Sequence, residues 1–203
     1  MPLYFMVHDA ERFGALIRPA LAASWQRRSS EPLRSLQFAL REDFERFVAE
    51  NRIRREELMV LGLQPQAPFN RDIWQTVAGE VLLAAAADVP EIPNVEETLV
   101  RILGEDPSIR QAYHGSRGLC FGGTWYRPDH AGYNAPDDVL RLANRLSSID
   151  HARFQVTLPG PNQTDEDEQQ EEWAFTCQAF NQLATVYDQA RTRGQLIVCE
   201  VID

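Results

Sequence analysis

Both ends of the chain are apolar and rich in strand-forming residues, and this pattern most constrains the fold. Residues 3–7 read LYFMV and residues 196–202 read LIVCEVI. Consecutive apolar positions are typical of a strand that is buried on both faces, because alternate side chains point to opposite faces of a sheet. We therefore expect both strands to lie in one covered sheet together with residues 119–125. The side chains expected in its core are Phe5, Val7, Ile197, Cys199 and Val201.

Helical patterns dominate the chain between these two strands. Asp9 and Asn70 each precede apolar residues at helical spacing, as N-cap residues do. Pro19 falls inside the first pattern and predicts a kink or a break. Prolines at 90 and 93 predict the end of the helix that follows Asn70. A long helix after Thr164 is expected to end before Gly194, where a positive φ is usual.

These patterns predict an α+β fold, namely a mainly helical single domain packed around a small mixed sheet that includes the N- and C-terminal strands. Helical signals are concentrated in residues 1–107, and residues 108–203 form the sheet-bearing half. No linker is long enough to divide the chain, so we expect one domain over residues 1–203. A chain of 203 residues can bury a sizeable core without a metal or a disulfide.

The charge composition excludes several classes of function. All 20 basic residues are arginine, and with 30 acidic residues the formal net charge is -10. Without lysine, the chemistry of P-loop NTPases and of Schiff-base enzymes is unavailable. A strongly acidic chain also lacks the phosphate-neutralising charge that nucleic-acid binding needs. We expect no nucleic-acid partner and no cofactor.

The sequence also indicates a location. No run of 18 apolar residues predicts a transmembrane helix, and residues 1–9 lack the features of a signal peptide, so no membrane association is expected. Three scattered cysteines, Cys120, Cys177 and Cys199, fit a reducing compartment rather than a disulfide framework. The arginine and alanine bias is typical of a GC-rich bacterial genome. We therefore expect a bacterial cytoplasmic protein.

A family resemblance covers about residues 115–203. The resemblance rests on residues 132–139 (GYNAPDDV), residues 146–150 (LSSID), the helix of residues 172–193, Gly194 and the terminal strand. In this order of elements the chain resembles the YfbM-like family of uncharacterised bacterial proteins. The resemblance implies an α+β fold and transfers no catalytic residue.

One segment carries residue types used in nucleophilic catalysis. Residues 118–122 read G-x-C-x-G around Cys120, and His114, Asp129 and His130 lie nearby in sequence. A cysteine activated by an imidazole that a carboxylate orients is the arrangement of a thiol nucleophile. The residues after Cys120 cannot begin the helix that a nucleophile elbow requires. The spacing does not match a zinc site, so no metal is expected.

Two further features indicate a binding surface. Trp125, Tyr126, Arg127 and Tyr133 lie in a glycine-rich stretch, and aromatic residues on loops often contact a ligand or partner. Residues 165–172 hold six acids in eight positions, which is typical of a solvated helix start or of a docking surface for a basic partner.

The leading hypothesis is therefore a non-enzymatic binding or interaction protein with a protein partner or a small ligand. The alternative is a hydrolase or transferase that uses Cys120 with His114 or His130. A homodimer in which the chain is a structural subunit is a third possibility, because the sequence does not fix the oligomeric state.

Overall fold

A computed structural model describes residues 2–29, 31–39, 69–150 and 166–201. The helices in these ranges are α1 (Ala10–Arg12), a π-helical segment (Phe13–Ile17), α2 (Arg18–Arg27), α3 (Glu31–Ala39), α4 (Arg71–Ala85), α5 (Glu96–Leu103), α6 (Pro107–His114), α7 (Pro136–Ser147) and α8 (Glu166–Thr192). The strands are β1 (Pro2–His8), β2 (Glu91–Pro93), β3 (Arg117–Gly118), β4 (Cys120–Phe121), β5 (Thr124–Trp125), β6 (Ala131–Asn134) and β7 (Leu196–Val201).

The predicted α+β class is confirmed. A five-stranded sheet with the order β2-β1-β7-β6-β3 contains both terminal strands, and the β1–β2 and β6–β7 pairs are antiparallel. Leu3, Phe5, Ile197 and Cys199 are at most 1% exposed, as expected for strands covered on both faces. Val201 is half-buried, since it lies at the end of β7.

The expectation that residues 119–125 join this sheet is wrong. β4 and β5 form a separate two-stranded hairpin in which Cys120 pairs with Trp125 and Phe121 with Thr124. Gly122 and Gly123 form its turn with φ of 60° and 90°. Glycine adopts these angles without steric cost, so the segment closes on itself locally.

The described residues group into two compact units. The sheet unit takes its residues from 1–5, 90–117 and 130–203, and the aromatic unit takes its residues from 6–89 and 118–129. Both units combine segments that are distant in sequence, so neither coincides with the halves 1–107 and 108–203. A single domain over the whole chain stays a prediction.

In the sheet unit, α7 and α8 pack against each other through apolar faces. Leu142 and Leu146 of α7, and Phe180, Leu183 and Tyr187 of α8, are at most 1% exposed. The apolar residues recur every three or four positions, which places them on one side of each helix. α8 also packs against β2, so the long helix lies beside one edge of the sheet.

In the aromatic unit, rings pack in a continuous cluster. Neighbouring centroids lie 5.3–6.5 Å apart at interplanar angles of 50–75°. Each such pair contributes about 0.5–1.5 kcal/mol beyond the burial of its area. The members of the cluster are Phe13, Trp25, Phe69, Trp74, Phe121 and Tyr126.

The predicted helix caps are confirmed. Asp9 Oδ1 accepts a hydrogen bond from the Arg12 amide at 2.7 Å, and Asn70 Oδ1 accepts one from the Ile73 amide at 2.8 Å. No break occurs at Pro19, because the backbone stays helical from Ala10 to Arg27; the irregularity is the π-helical segment Phe13–Ile17, which ends just before α2. Proline has no N–H for the carbonyl four residues earlier, and its ring clashes with that carbonyl.

Two expectations about helix ends have different outcomes. Gly194 has the predicted positive φ, 63°, after the end of α8. The prolines at 90 and 93 do not end α4, which stops at Ala85; they border β2 instead. The Thr164 cap lies outside the described residues.

Candidate binding groove

The candidate catalytic residues fall into different units. Cys120 lies half-buried in β4 of the aromatic unit, while His114 and His130 belong to the sheet unit. His114 Nε2 lies 2.5 Å from Glu96 Oε2, in an exposed pair between α6 and α5.

No metal centre emerges either. In the described part of the chain, Asp129 and the other histidine, cysteine and acidic residues form no group of three or more that could hold an ion.

The candidate aromatic surface also divides. Trp125 is 52% exposed, and its ring covers Gly118, where a Cβ would lie 2.7 Å from Trp125 Cζ3. Tyr126 is completely buried, so it belongs to the core and not to a surface. The Arg127 guanidinium carbon lies 5.7 Å from the Tyr126 ring centre. Tyr133 lies half-buried in β6 of the sheet unit.

One residue of the acidic run, Glu172, forms an ion pair between two helices. Glu172 Oε1 accepts a hydrogen bond from Arg101 Nη2 at 2.5 Å, which links α8 to α5. Both side chains are about half exposed, so the pair contributes at most about 1 kcal/mol. Glu171 is exposed and has no ion-pair partner among the described residues. The side chains of residues 165–169 lie outside the described set.

A groove of about 750 Å³ lies in the sheet unit between β2 and α8. Its lining is formed by Pro90, Glu91 and Ile92 on one side and by Trp173, Ala174, Cys177, Gln178, Asn181, Gln182, Thr185 and Val186 on the other. Its volume falls within the range of roughly 300–1,000 Å³ that is usual for ligand sites.

The wall formed by β2 is an open sheet edge. β2 ends the strand order, and the Phe5 amide donates to the Pro90 carbonyl at 3.0 Å. In an antiparallel pair, residues alternate between bonding to the partner strand and facing away from it. Glu91 follows Pro90 and stands opposite Tyr4, so its N–H and C=O point away from β1. No strand in the described part of the chain pairs with these two groups.

The wall formed by α8 consists of two rows of side chains. Residues 173, 177, 181 and 185 form one row, and residues 174, 178, 182 and 186 form the other. Members of a row are four positions apart and therefore lie on one helix face. Gln178, Asn181 and Gln182 are exposed, so carboxamides form the rim.

Trp173 contributes a hydrogen-bond donor without a partner. Its indole Nε1–H is buried and has no acceptor. Buried polar groups are nearly always hydrogen-bonded, and an unpaired one costs about 1–3 kcal/mol. An acceptor supplied by a bound molecule would satisfy this donor, since Trp173 lines the groove.

The groove offers binding rather than nucleophilic chemistry. Burial raises the pKa of the Cys177 thiol above its usual range, so this thiol stays protonated at neutral pH. Among the described residues of the lining, Glu91 is the one that carries a charge. It is exposed and has no ion-pair partner among the described residues. A lining with several carboxamides and one carboxylate suits a ligand with amide groups, and the carboxylate favours a positive charge on that ligand.

Comparison with known proteins does not identify a relative. No family model, no curated protein and no solved structure matches the chain. The YfbM-like resemblance therefore stays a prediction. Separately, no helix in the described ranges is both long and apolar enough to cross a membrane.

Sequence reasoning missed the groove because it missed β2. Residues 90–93 read PEIP, and the two prolines were interpreted as helix terminators. Proline inside a sheet is confined to edge strands and strand ends, so a short segment with a proline at each end also indicates an edge strand. The buried Ile92 between exposed Glu91 and half-buried Pro93 shows the alternation of such a strand.

Proposed function

We propose that the chain is a non-enzymatic binding protein whose site is the groove between β2 and α8. The observation that carries the proposal is one cavity of about 750 Å³ that is lined both by an edge strand and by Trp173, whose buried indole N–H has no acceptor among the described residues. Ligand sites combine an apolar surface with a few placed polar groups in the same way. The Ile92, Cys177 and Val186 side chains supply the apolar part.

The ligand class follows from the lining. Carboxamides both donate and accept hydrogen bonds, as peptide groups do. Gln178, Asn181 and Gln182 therefore complement a molecule with amide groups better than a phosphate or a metal ion. A protein segment or a small amide-bearing molecule is the partner that we propose.

The enzymatic alternative has less support. A hydrolase or transferase that uses Cys120 needs an imidazole to take up the thiol proton. Cys120 belongs to the aromatic unit, whereas His114 and His130 belong to the sheet unit, in which Glu96 is the partner of His114. No observation on the described residues favours a second function over the binding role.

We also propose a bacterial cytoplasmic location for the protein, with no nucleic-acid or membrane partner. Its cysteines at 120, 177 and 199 are free thiols, which suits a reducing compartment. The net charge of -10 disfavours polyanions as partners. A homodimer remains an expectation that light scattering at two concentrations would test.

The binding proposal is tested by filling the groove. A phage-displayed library of random nine-residue peptides is selected on the wild-type protein, and the affinity of each enriched peptide is measured by fluorescence anisotropy. Gln178→Trp places a large ring in the groove. Gln189→Trp makes the same change at an exposed position of α8 outside the lining, so it is the matched control.

We expect the enriched peptides to bind Gln178→Trp at least tenfold more weakly than wild type and to bind Gln189→Trp within twofold of wild type. Circular dichroism shows whether both variants are folded. Enrichment of no peptide, or equal affinity for both variants, would reject the groove as the site.

A further inference from the structure

The groove has the geometry of a site for an extended peptide. Resting on the proposed function, we propose that its occupant is a peptide segment of about six residues that adds a strand to β2 and carries a basic residue at the end near Trp173. The open edge, the spacing of α8 side chains and the local charge each support this occupant.

The strand edge offers one main-chain docking pair. The N–H and C=O of Glu91 point away from β1, whereas the flanking residues are Pro90, which has no N–H, and Ile92, whose groups face β1. A peptide strand beside β2 can therefore exchange two main-chain hydrogen bonds with Glu91. Prolines on both sides of this pair prevent longer pairing, which is how edge strands avoid aggregation.

The helix wall matches the repeat of a strand. Four residues of an α-helix rise about 6 Å, and two residues of a strand span about 6.6–6.8 Å. The outward backbone N–H and C=O groups of every second residue of an extended peptide can therefore meet successive members of an α8 row. From Trp173 to Thr185 a helix rises about 18 Å, which is the length of five or six strand residues.

The polar groups of α8 suit the peptide backbone. A strand that pairs with β2 on one side directs every second residue's N–H and C=O to the other side. The carboxamides of Gln178, Asn181 and Gln182 border the groove there and can donate to and accept from these groups. The unpartnered Trp173 N–H can donate to one further carbonyl.

The charge near Trp173 selects a basic residue. Glu171 lies on α8 two positions before Trp173 and is exposed, and Glu91 lines the groove. Arg101 pairs with Glu172, but Glu171 and Glu91 have no ion-pair partner among the described residues. A net charge of -10 adds long-range attraction for a cationic segment and repels an acidic one.

One experiment separates strand addition from simple occupancy of the groove. The strongest binder among the groove-dependent peptides from the display selection is resynthesised with each backbone nitrogen methylated in turn. N-methylation removes one donor and prevents close strand pairing. We expect at least tenfold weaker binding at the position that donates to the Glu91 carbonyl, and a smaller loss at its sequence neighbours, whose N–H groups face the exposed carboxamides of α8. If N-methylation weakened binding at none of the positions, the proposal would be overturned.

A pair of variants tests the same contact from the protein side. Glu91→Gln removes the charge but keeps the backbone N–H, whereas Glu91→Pro removes both. We expect Glu91→Gln to weaken a basic peptide severalfold at low salt and Glu91→Pro to weaken it at least tenfold more. Equal affinity of the two variants would contradict strand addition. If Glu91→Pro does not fold, the methylation series decides alone.

The outcomes keep the two proposals distinguishable. Peptides that lose affinity for Gln178→Trp yet tolerate every N-methylation would retain the binding function and refute strand addition. Peptides that are groove-dependent but lack arginine and lysine would refute the basic end. Peptides indifferent to Gln178→Trp would refute the function itself.

Discussion

At the residue scale, the buried side chain of Asn134 connects three elements of the sheet unit. Its Nδ2 donates to the Tyr187 Oη at 2.7 Å and to the Gln111 carbonyl at 3.0 Å. Tyr187 Oη in turn donates to the Ala112 carbonyl at 2.7 Å. Removing one member of a satisfied buried network leaves the others desolvated and unpaired. The network therefore holds β6, α8 and α6 in one arrangement.

Removing the Tyr187 hydroxyl tests this network. Tyr187→Phe keeps the ring but leaves the Ala112 carbonyl with only the weak Cys199 thiol donor at 3.7 Å, and leaves Asn134 without one acceptor. We expect a loss of about 1–3 kcal/mol in the free energy of unfolding, measured by urea denaturation. Tyr4→Phe is the control, because Tyr4 is half-buried and makes no hydrogen bond among the described residues. Equal stability of the two variants would show that the network adds nothing.

Glu80 gives the aromatic unit a pH dependence. It is 7% exposed on α4, and burial raises its pKa from 4.5 to about 7. The folded state thus binds this proton more tightly than the unfolded state. As far as Glu80 is concerned, the free energy of unfolding is therefore highest below about pH 4.5. It falls as the pH rises to about 7 and is constant above that.

Glu80→Gln removes this penalty. We expect the variant to be about 2–3 kcal/mol more stable than wild type at pH 8 and equally stable at pH 4. Urea denaturation at the two pH values measures the difference. Glu11→Gln, an exposed change in the same unit, should alter stability by less than about 0.5 kcal/mol at both. If Glu80→Gln were stabilised as much at pH 4 as at pH 8, the charge of Glu80 would not be the cause of the gain in stability.

At the element scale, β6 and the end of α6 approach each other at backbone distance. A Cβ on Gly132 would lie 2.1 Å from the His114 carbonyl oxygen, and one on Gly115 would lie 2.4 Å from the Tyr133 nitrogen. Both contacts are with backbone atoms, which cannot rotate away as a side chain can. Only glycine fits at these two positions without a shift of the strand or the helix.

Gly132→Ala tests this close approach. Because β6 or α6 must move, we expect a loss of at least about 2 kcal/mol in the free energy of unfolding. Gly14→Ala is the comparison, since nothing lies within 4 Å of its Cβ position and alanine favours a helix by about 0.5–1 kcal/mol. A loss of similar size in both variants would point to a general intolerance of alanine for glycine.

The elements that sequence predicted are those with strong local signals. Asp9 and Asn70 cap helices as expected, and β7 has the predicted nearly apolar character, with Glu200 as its one charged residue. β6 and α6 were missed, because Gly132 and Tyr133 give no strand alternation and Pro107 was interpreted as a boundary rather than as a helix start.

The candidate site could not be predicted in the same way. The groove joins residues 90–92 to residues 173–186, which are about 80 positions apart in sequence. No local pattern encodes a gap between two such segments. The residue types of Cys120 and Tyr126 indicate a site, yet Cys120 belongs to a different unit from His114 and His130, and the Tyr126 ring is buried. Chemistry-bearing residues mark a site only where the fold brings them together.

At the scale of the whole molecule, we expect the negative net charge to attract a basic peptide to the groove. A variant that converts Asp165 and Asp167 to Asn, and Glu166 and Glu168 to Gln, lowers the net charge from -10 to -6. We expect unfolding stability to change by less than about 1 kcal/mol, since lost dipole attraction and relieved repulsion offset each other.

Binding of a basic peptide should respond differently in this variant. We expect severalfold weaker affinity at 50 mM salt and a shallower salt dependence than in the wild type, because exposed charges are screened beyond about 10 Å at 0.1 M salt. Anisotropy titrations at 50 and 500 mM salt measure both. Unchanged affinity at both salt concentrations would show that the acidic run does not contribute to peptide binding.

Protection of Cys177 tests most directly that the groove is the binding site. Cys120→Ser leaves Cys177 as the partly exposed thiol, since Cys199 is buried with a pKa of about 12. The rate of iodoacetamide labelling at pH 8.5 is measured with and without a saturating enriched peptide. We predict at least tenfold slower labelling with the peptide present, because a strand beside β2 covers the thiol. An unchanged labelling rate at saturation would contradict the account.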